Sequence, residues 1–238
     1  MYAAQTMATK GRWLLAAACT VAFAVTAALV SPPDAAALEP CGNSAGYSYA
    51  GFQSANRGHG IRATLVSLGN PKVRNGHVAA WVGVGGSGLG PNGTNQWLQV
   101  GLNAFQGTGS NLYYEVTTGG AQPRYHEIAA NVSPKLRHRV AVLEIGTRPN
   151  WWRVWLNGKP VSPAIHLPGS SGRFQPIATA ETWNAGSPVC NGFNYRFEGL
   201  GVAAAGGGSW HRFVQAHRFQ DRHYRVLSSA TSFVARLT

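Results

Sequence analysis

Acid–base chemistry in this chain has few candidates. Between Cys41 and Gly208 only five carboxylates occur: Glu115, Glu127, Glu144, Glu181 and Glu198. A glycosidase places two carboxylates either side of the bond it cleaves, and no close-spaced acidic pair is present, so such a site would have to be assembled from distant strands. Glu144 belongs with Arg139 on the solvent face of an alternating stretch, while Glu115 and Glu198 stand in apolar strand context. A zinc-protease helix needs a second His four positions after the His-Glu pair's first His. His126-Glu127 has Ala130 there and Asn131 one place further on, and the eight His are otherwise scattered, so no metal is expected. Gly-x-Ser-x-Gly and phosphate-loop patterns are absent, and no serine is marked as a nucleophile.

Whatever chemistry there is must be carried on strands. Short runs rich in β-branched and aromatic residues recur between Gly, Asn and Pro, and ten are expected as strands: 47–52, 60–66, 77–84, 96–103, 111–117, 125–132, 137–145, 151–156, 177–183 and 195–202. Alternation is clearest from Arg139 to Ile145 and from Trp151 to Leu156. Asn157-Gly158 then reads as a tight hairpin turn, with 161–167 as the returning strand. The glycine-rich stretch 85–93 is expected as a long flexible loop, the kind of segment that carries binding groups on a rigid sheet. Composition agrees: 30 Gly, 13 Pro, 8 Trp, 8 Tyr and 9 Phe, with 12% charged residues against about 25% in an average globular protein, exclude a coiled coil or helical bundle. At 45% hydrophobic the chain can bury a core and is not disordered. Together these features predict an all-β protein, a two-sheet antiparallel β-sandwich.

The first residues read differently. Lys10 and Arg12 precede an apolar run over 13–30, followed by Ser31-Pro32-Pro33 and Ala35-Ala36-Ala37, the pattern of a secretory signal cleaved after Ala37. An uncleaved membrane anchor is the alternative. The expected organisation is a signal peptide at 1–37, a sandwich domain at 38–208 and a basic C-terminal tail at 209–238, secreted and monomeric. Loss of Lys10, Arg12 and Asp34 takes the net charge from +12 to +11. Export leaves Cys41 and Cys190 as an even pair in an oxidising compartment, expected as one disulfide, with two unpaired thiols as the alternative. Asn92-Gly93-Thr94 and Asn131-Val132-Ser133 fit glycosylation sequons. So cationic an exported domain is drawn to polyanions, which makes anionic cell-wall polymers or glycans expected partners. The tail interleaves bases with aromatics, but specific nucleic-acid binding is not expected.

Four short motifs occur in order: Trp81-Val82-Gly83-Val84-Gly85-Gly86, Trp97-Leu98-Gln99-Val100-Gly101, Tyr113-Tyr114-Glu115 and Thr179-Ala180-Glu181-Thr182-Trp183. In that order and spacing the chain resembles the glutamic peptidases, or eqolisins, over about 47–202. It departs from their pattern at Gly85-Gly86, where an Asp-Gly usually follows the Trp-Val-Gly strand, and after Trp183. The resemblance implies a lectin- and glucanase-like, concanavalin A-like jelly roll that hydrolyses polypeptides with a catalytic Gln99 and Glu181 dyad and no cofactor. A carboxylate can take a proton from water and return it to the leaving amine, while a neutral amide positions that water and donates to the developing oxyanion. Trp81, Trp97, Tyr113 and Trp183 would line the substrate cleft. Tyr113 and Tyr114 alternate faces, so only one of them could do so. Structural hydrogen bonding is the better assignment for Glu115. The competing expectation is a non-catalytic, lectin-like module that binds cell-wall or anionic glycans.

Overall fold

The computed structural model describes residues 46–183, 190–221 and 223–237, all within one unit, Leu38–Thr238. The expected signal segment 1–37 and Cys41 lie outside the described residues, and with Cys41 lies one half of the expected disulfide. Cys190, the other half, is buried.

In chain order the strands are β1 (Tyr47–Ser54), β2 (Gly60–Ser67), β3 (Lys72–Val73), β4 (His77–Gly86), β5 (Gln96–Phe105) and β6 (Ser110–Thr117). They continue with β7 (Arg124–Val132), β8 (His138–Glu144), β9 (Trp151–Leu156), β10 (Lys159–Pro160), β11 (Ile165–His166) and β12 (Ile177–Trp183). The last six are β13 (Asn191–Gly192), β14 (Asn194–Ala203), β15 (Trp210–Arg212), β16 (Gln215–Gln220), β17 (Tyr224–Ser228) and β18 (Phe233–Leu237). One sheet runs β16-β1-β12-β4-β5-β6-β7; the other runs β10-β9-β8-β2-β14-β18-β17, with β11 beside β9 and β15 beside β14. Every pairing in them is antiparallel. All ten expected strands are present, and the class is the expected antiparallel two-sheet sandwich.

Because side chains alternate across a strand, each sheet gives one face to the core. Ala50, Val78, Val82, Val100 and Leu102 from the first sheet meet Ile61, Val142, Trp152, Tyr195 and Phe197 from the second in one buried cluster. The opposite face of the first sheet carries a smaller cluster, Ala79, Trp81, Tyr113 and Ile177, with Tyr49 and Phe219 against it. Asn157 (φ 52°) and Gly158 (φ 83°) both occupy the left-handed region, as the hairpin turn between β9 and β10 requires.

Four expectations are corrected. The return from that hairpin is broken into β10 and β11, because Pro160 and Pro163 lack the N–H that a continuous ladder needs and Ser162 Oγ instead accepts the Val154 N–H at 2.9 Å. Of the stretch 85–93, Gly85 and Gly86 still belong to β4 and Pro91–Gly93 forms a 3-10 turn. The basic stretch from 209 onward is no appendage, since it supplies β15 to β18 and contributes to both sheets. Tyr224, Val226, Phe233 and Ala235 alternate into the core while Arg225 and Arg236 face outward. Glu144 is not solvent-facing. It shares parity with Val140 and Val142, not with Arg139, and is 1% exposed. Its Oε2 lies 2.5 Å from His59 Nδ1 and accepts from Ser171 Oγ at 3.1 Å, while Oε1 accepts the Asn150 N–H at 2.5 Å.

Candidate active site

The outward face of the first sheet gathers nearly all of the residues singled out by type. β4 runs between β12 and β5, and three rows of this face cross it in register. Glu181, Ala79 and Asn103 form one row; Thr179, Trp81, Gly101 and Tyr113 the next; Ile177, Gly83, Gln99 and Glu115 the third. Glu181 and Gln99 therefore flank the Trp81–Tyr113 row on opposite sides. Glycine is required within these rows. A Cβ at Gly101 would stand 2.0 Å from the Ala80 carbonyl oxygen and 2.8 Å from Trp81 Cβ, and one at Gly83 would stand 2.8 Å from Gln99 Cβ. Bare backbone at these positions lets the strands carrying Trp81 and Gln99 approach closely.

Glu181 is 5% exposed. Its Oε2 accepts the Trp81 indole N–H at 2.8 Å, and His77 Nε2 lies 3.5 Å from Oε1. The next residue, Thr182, points into the core and shares a 2.8 Å hydrogen bond with the Tyr224 hydroxyl, so a strand of the former "tail" steadies the strand that presents Glu181. Gln99, 8% exposed, donates through Nε2 to the Tyr113 hydroxyl at 3.2 Å. Burial, followed by the negative charges of Glu181 and Glu115, holds the pKa of Tyr113 well above 10, so it stays a neutral phenol. Glu115 accepts the Trp97 indole N–H at 2.9 Å. Burial raises its pKa above the usual carboxylate value, opposed by the Trp97 hydrogen bond; the Glu181 charge raises it further and His77 lowers it. Tyr47, pushed up to about 12 mainly by burial and then by Glu181, stands on the same face.

The expected lining residues divide by role. Trp81 and Trp97 spend their indole N–H groups on the two carboxylates. Trp183 is 36% exposed and stacks on His77 with ring centroids 6.0 Å apart. Of the adjacent tyrosines, Tyr113 lies on the Gln99 face, whereas Tyr114 turns to the core side and stacks on His126 at 4.4 Å. Sequence reasoning missed His77, Tyr47, Tyr49, Phe105 and Tyr125. These rings form a continuous rim, with Tyr47 stacked on Tyr49 at 5.8 Å, Tyr113 on Tyr125 at 5.4 Å, and Phe105 edge-on to both His77 and Tyr125. Parity was the available signal: His77, Ala79 and Trp81 must share a face. The remaining acids stand apart from this face's centre. Glu198 is held by Arg137 and Arg196, and Glu127 lies in the edge strand β7. Two clefts of about 470 and 530 Å³ open beside the glycine-rich turn and share Pro91, Asn92 and Arg173; neither is lined by Gln99 or Glu181. Among the described residues no group of three or more His, Cys, Asp or Glu could hold a metal ion.

No protein-family profile and no curated protein matches this chain. Among solved structures, scytalido-glutamic peptidase with a transition-state analogue inhibitor superposes with a TM-score of 0.58 at 11% identity, covering 82% of this chain and 100% of that one. The same peptidase with a peptide-based transition-state analogue gives 0.55 at 12% identity, with the same coverage. An eqolisin-family peptidase in complex with the tripeptide Ala-Ile-His gives 0.52 at 13% identity, covering 82% and 99%. At these identities the likeness is one of fold: the concanavalin A-like sandwich expected from the sequence.

Proposed function

We propose that this chain is a secreted glutamic-type endopeptidase in which Glu181 and Gln99 activate water against a peptide bond. The observation that carries the reading is the placement of these two buried polar side chains on one sheet face, flanking the Trp81–Gly101–Tyr113 row, with the carboxylate fixed by an indole N–H. The fold shared with peptidases that bind peptide-like inhibitors supports a polypeptide substrate. An extended peptide would lie across the face bounded by the aromatic rim of Tyr47, Trp183, His77, Phe105 and Tyr125.

In this reading the Glu181 carboxylate takes a proton from water as the oxygen attacks the scissile carbonyl carbon. The carbonyl becomes an oxyanion, and the Gln99 amide N–H donates to it. Collapse breaks the C–N bond, and the proton held on Glu181 passes to the leaving amine, which restores the carboxylate. Trp81 Nε1–H keeps Oε2 from turning away. Tyr113, neutral at any working pH, orients the Gln99 amide without competing for protons.

The test is hydrolysis of denatured protein from pH 2 to pH 8 by the purified protein, beside Glu181→Gln and Gln99→Ala. Cleavage abolished in both variants, with unchanged circular dichroism, is the expected result. Activity retained in either removes the dyad. No cleavage at any pH by folded wild-type protein removes the peptidase reading and leaves the non-catalytic, glycan-binding one.

A further inference from the structure

The second sheet turns its other face to solvent, and that face has a different chemistry. Arg153 on β9, Arg139 on β8, Arg62 on β2, Arg196 on β14, Arg236 on β18 and Arg225 on β17 all have outward parity, alternating with buried Val154, Val140, Ile61, Tyr195, Ala235 and Tyr224. These six consecutive strands span about 24 Å at the usual strand spacing of about 4.8 Å. The one carboxylate among them, Glu198, is already taken by Arg137 and Arg196. Arg225 and Arg236 stand directly opposite one another across β17 and β18, an arrangement of like charges that costs stability. Arg62 lies over the Trp210 ring, 4.7 Å from its centroid, crossing Gly201, where a Cβ would come 3.2 Å from Arg62 Nε. The fold therefore keeps guanidinium groups together on one outward face despite the repulsion between Arg225 and Arg236, with Arg62 held there against a ring.

We propose that this face binds a linear anionic glycan, one bearing sulfate or uronate groups, independently of the face that carries Gln99 and Glu181. Three observations select the partner. Sixteen of the twenty basic residues are Arg, whose planar fork pairs with carboxylate and sulfate through two hydrogen bonds where Lys offers a point charge. The width of the array suits a polymer and not a single small anion. Fully exposed stacking platforms are missing from this face among the described residues. The exposed aromatics among the described residues, Tyr47, Phe105, Tyr125 and Trp183, all belong to the opposite sheet, while Trp151 already carries the Arg148 guanidinium at 4.0 Å and the His166 ring at 4.8 Å. Unpaired bases, which bind largely by stacking on aromatic rings, find on this face only the half-buried Trp151, Trp155 and Trp210, two of which already carry guanidinium groups; charge recognition predominates.

The experiment measures binding of the purified full chain to heparin, to polygalacturonate and to single-stranded DNA of matched charge, at low and at physiological ionic strength. Salt-sensitive binding to at least one of the glycans, tighter than to DNA, is expected; heparin against polygalacturonate separates sulfate from carboxylate recognition. Arg225→Glu replaces a repulsive cross-strand pair with an attractive one, so it should weaken glycan binding while melting at the same temperature or higher. The Arg139→Gln/Arg225→Glu double variant should bind at least about tenfold more weakly, since each lost contact is a hydrogen bond between charged groups. Glu181→Gln should bind as the wild type does, which separates this surface from the peptidase reading. Unchanged affinity in the double variant, loss of binding in Glu181→Gln, absence of glycan binding at low salt, or tighter binding to DNA each overturns the proposal.

Discussion

Trp81→Phe tests whether the carboxylate of Glu181 is held in position for work. The substitution keeps an aromatic ring against Tyr113 and Ile177 but removes the N–H that donates to Oε2 at 2.8 Å. A hydrogen bond to a charged group contributes about 1.5–3 kcal/mol. If that contribution serves to aim the carboxylate, its loss lowers kcat by roughly 10- to 150-fold. Trp97→Phe is the matched control, because it deletes a 2.9 Å indole bond to a carboxylate, Glu115, that has no step in the mechanism; its turnover should stay within about threefold of wild type. The assay is steady-state hydrolysis of an unfolded protein or peptide substrate at the pH of maximal rate, with thermal melts of both variants so that loss of fold is not read as loss of turnover. Wild-type turnover in Trp81→Phe, or an equal fall in Trp97→Phe, refutes the reasoning.

Two further perturbations probe the frame. Glu144→Ala strands the partners at His59, Asn150 and Ser171 around a fully buried position; breaking such a buried network costs about 3–5 kcal/mol, a fall of roughly 10 °C in Tm for a domain of this size. A loss under about 1 kcal/mol in a denaturant titration would show the cluster to be slack. Glu115→Gln addresses pH. Burial raises Glu115 in the folded state, so the fold favours its protonated form and loses that advantage as pH rises from below the unfolded value through the raised folded one. The neutral amide keeps an acceptor for Trp97 and escapes the penalty, so denaturant midpoints at pH 7 should be higher for the variant than for wild type and should converge at pH 3. A variant less stable at pH 7 than at pH 3, relative to wild type, contradicts the assignment.

The strands were legible because their cue is local. β-Branched and aromatic runs bounded by Gly, Asn and Pro need no knowledge of partners, and Asn157-Gly158 fixed its hairpin from two residues. Parity was legible too where it was counted correctly: Glu144 is five residues from Arg139, an odd number, and so belongs to the other face. What seals Glu144 is different, since the donors at His59, Asn150 and Ser171 arrive from three separate connections, which no local pattern discloses. The strands after Gly208 escaped notice because several of their outward positions are basic, Arg225 and Arg236 among them, so their composition reads as a solvated tail while their alternation reads as sheet. The candidate site was legible by type only. That Gln99 and Glu181, 82 positions apart, share a face follows from the pairing of β12 and β5 with β4, and register between distant strands cannot be read from either strand alone. His77 was passed over because its neighbour in space, Glu181, is likewise remote in sequence.

The net charge of +12 is therefore a poor guide to the field at the dyad. Of the six carboxylates in the described residues, Glu181, Glu115 and Glu127 have the parity of the dyad face and Asp221, at the end of β16, accepts the Tyr49 N–H beside it. Glu144 is sealed inside and Glu198 alone stands among the arginines of the second sheet. The upward shifts of Tyr47, Tyr49 and Tyr113 each include the Glu181 charge, the mark of an anionic patch in partly desolvated surroundings. Exposed charges separated by more than about 8 Å are largely screened at physiological ionic strength, and the two outward faces lie on opposite sides of a core roughly 10 Å thick. The arginine face can accordingly be neutralised by substitution without altering the acid–base properties of the dyad face. Arg139→Gln/Arg225→Glu should leave the pH profile of hydrolysis in place while it weakens glycan binding.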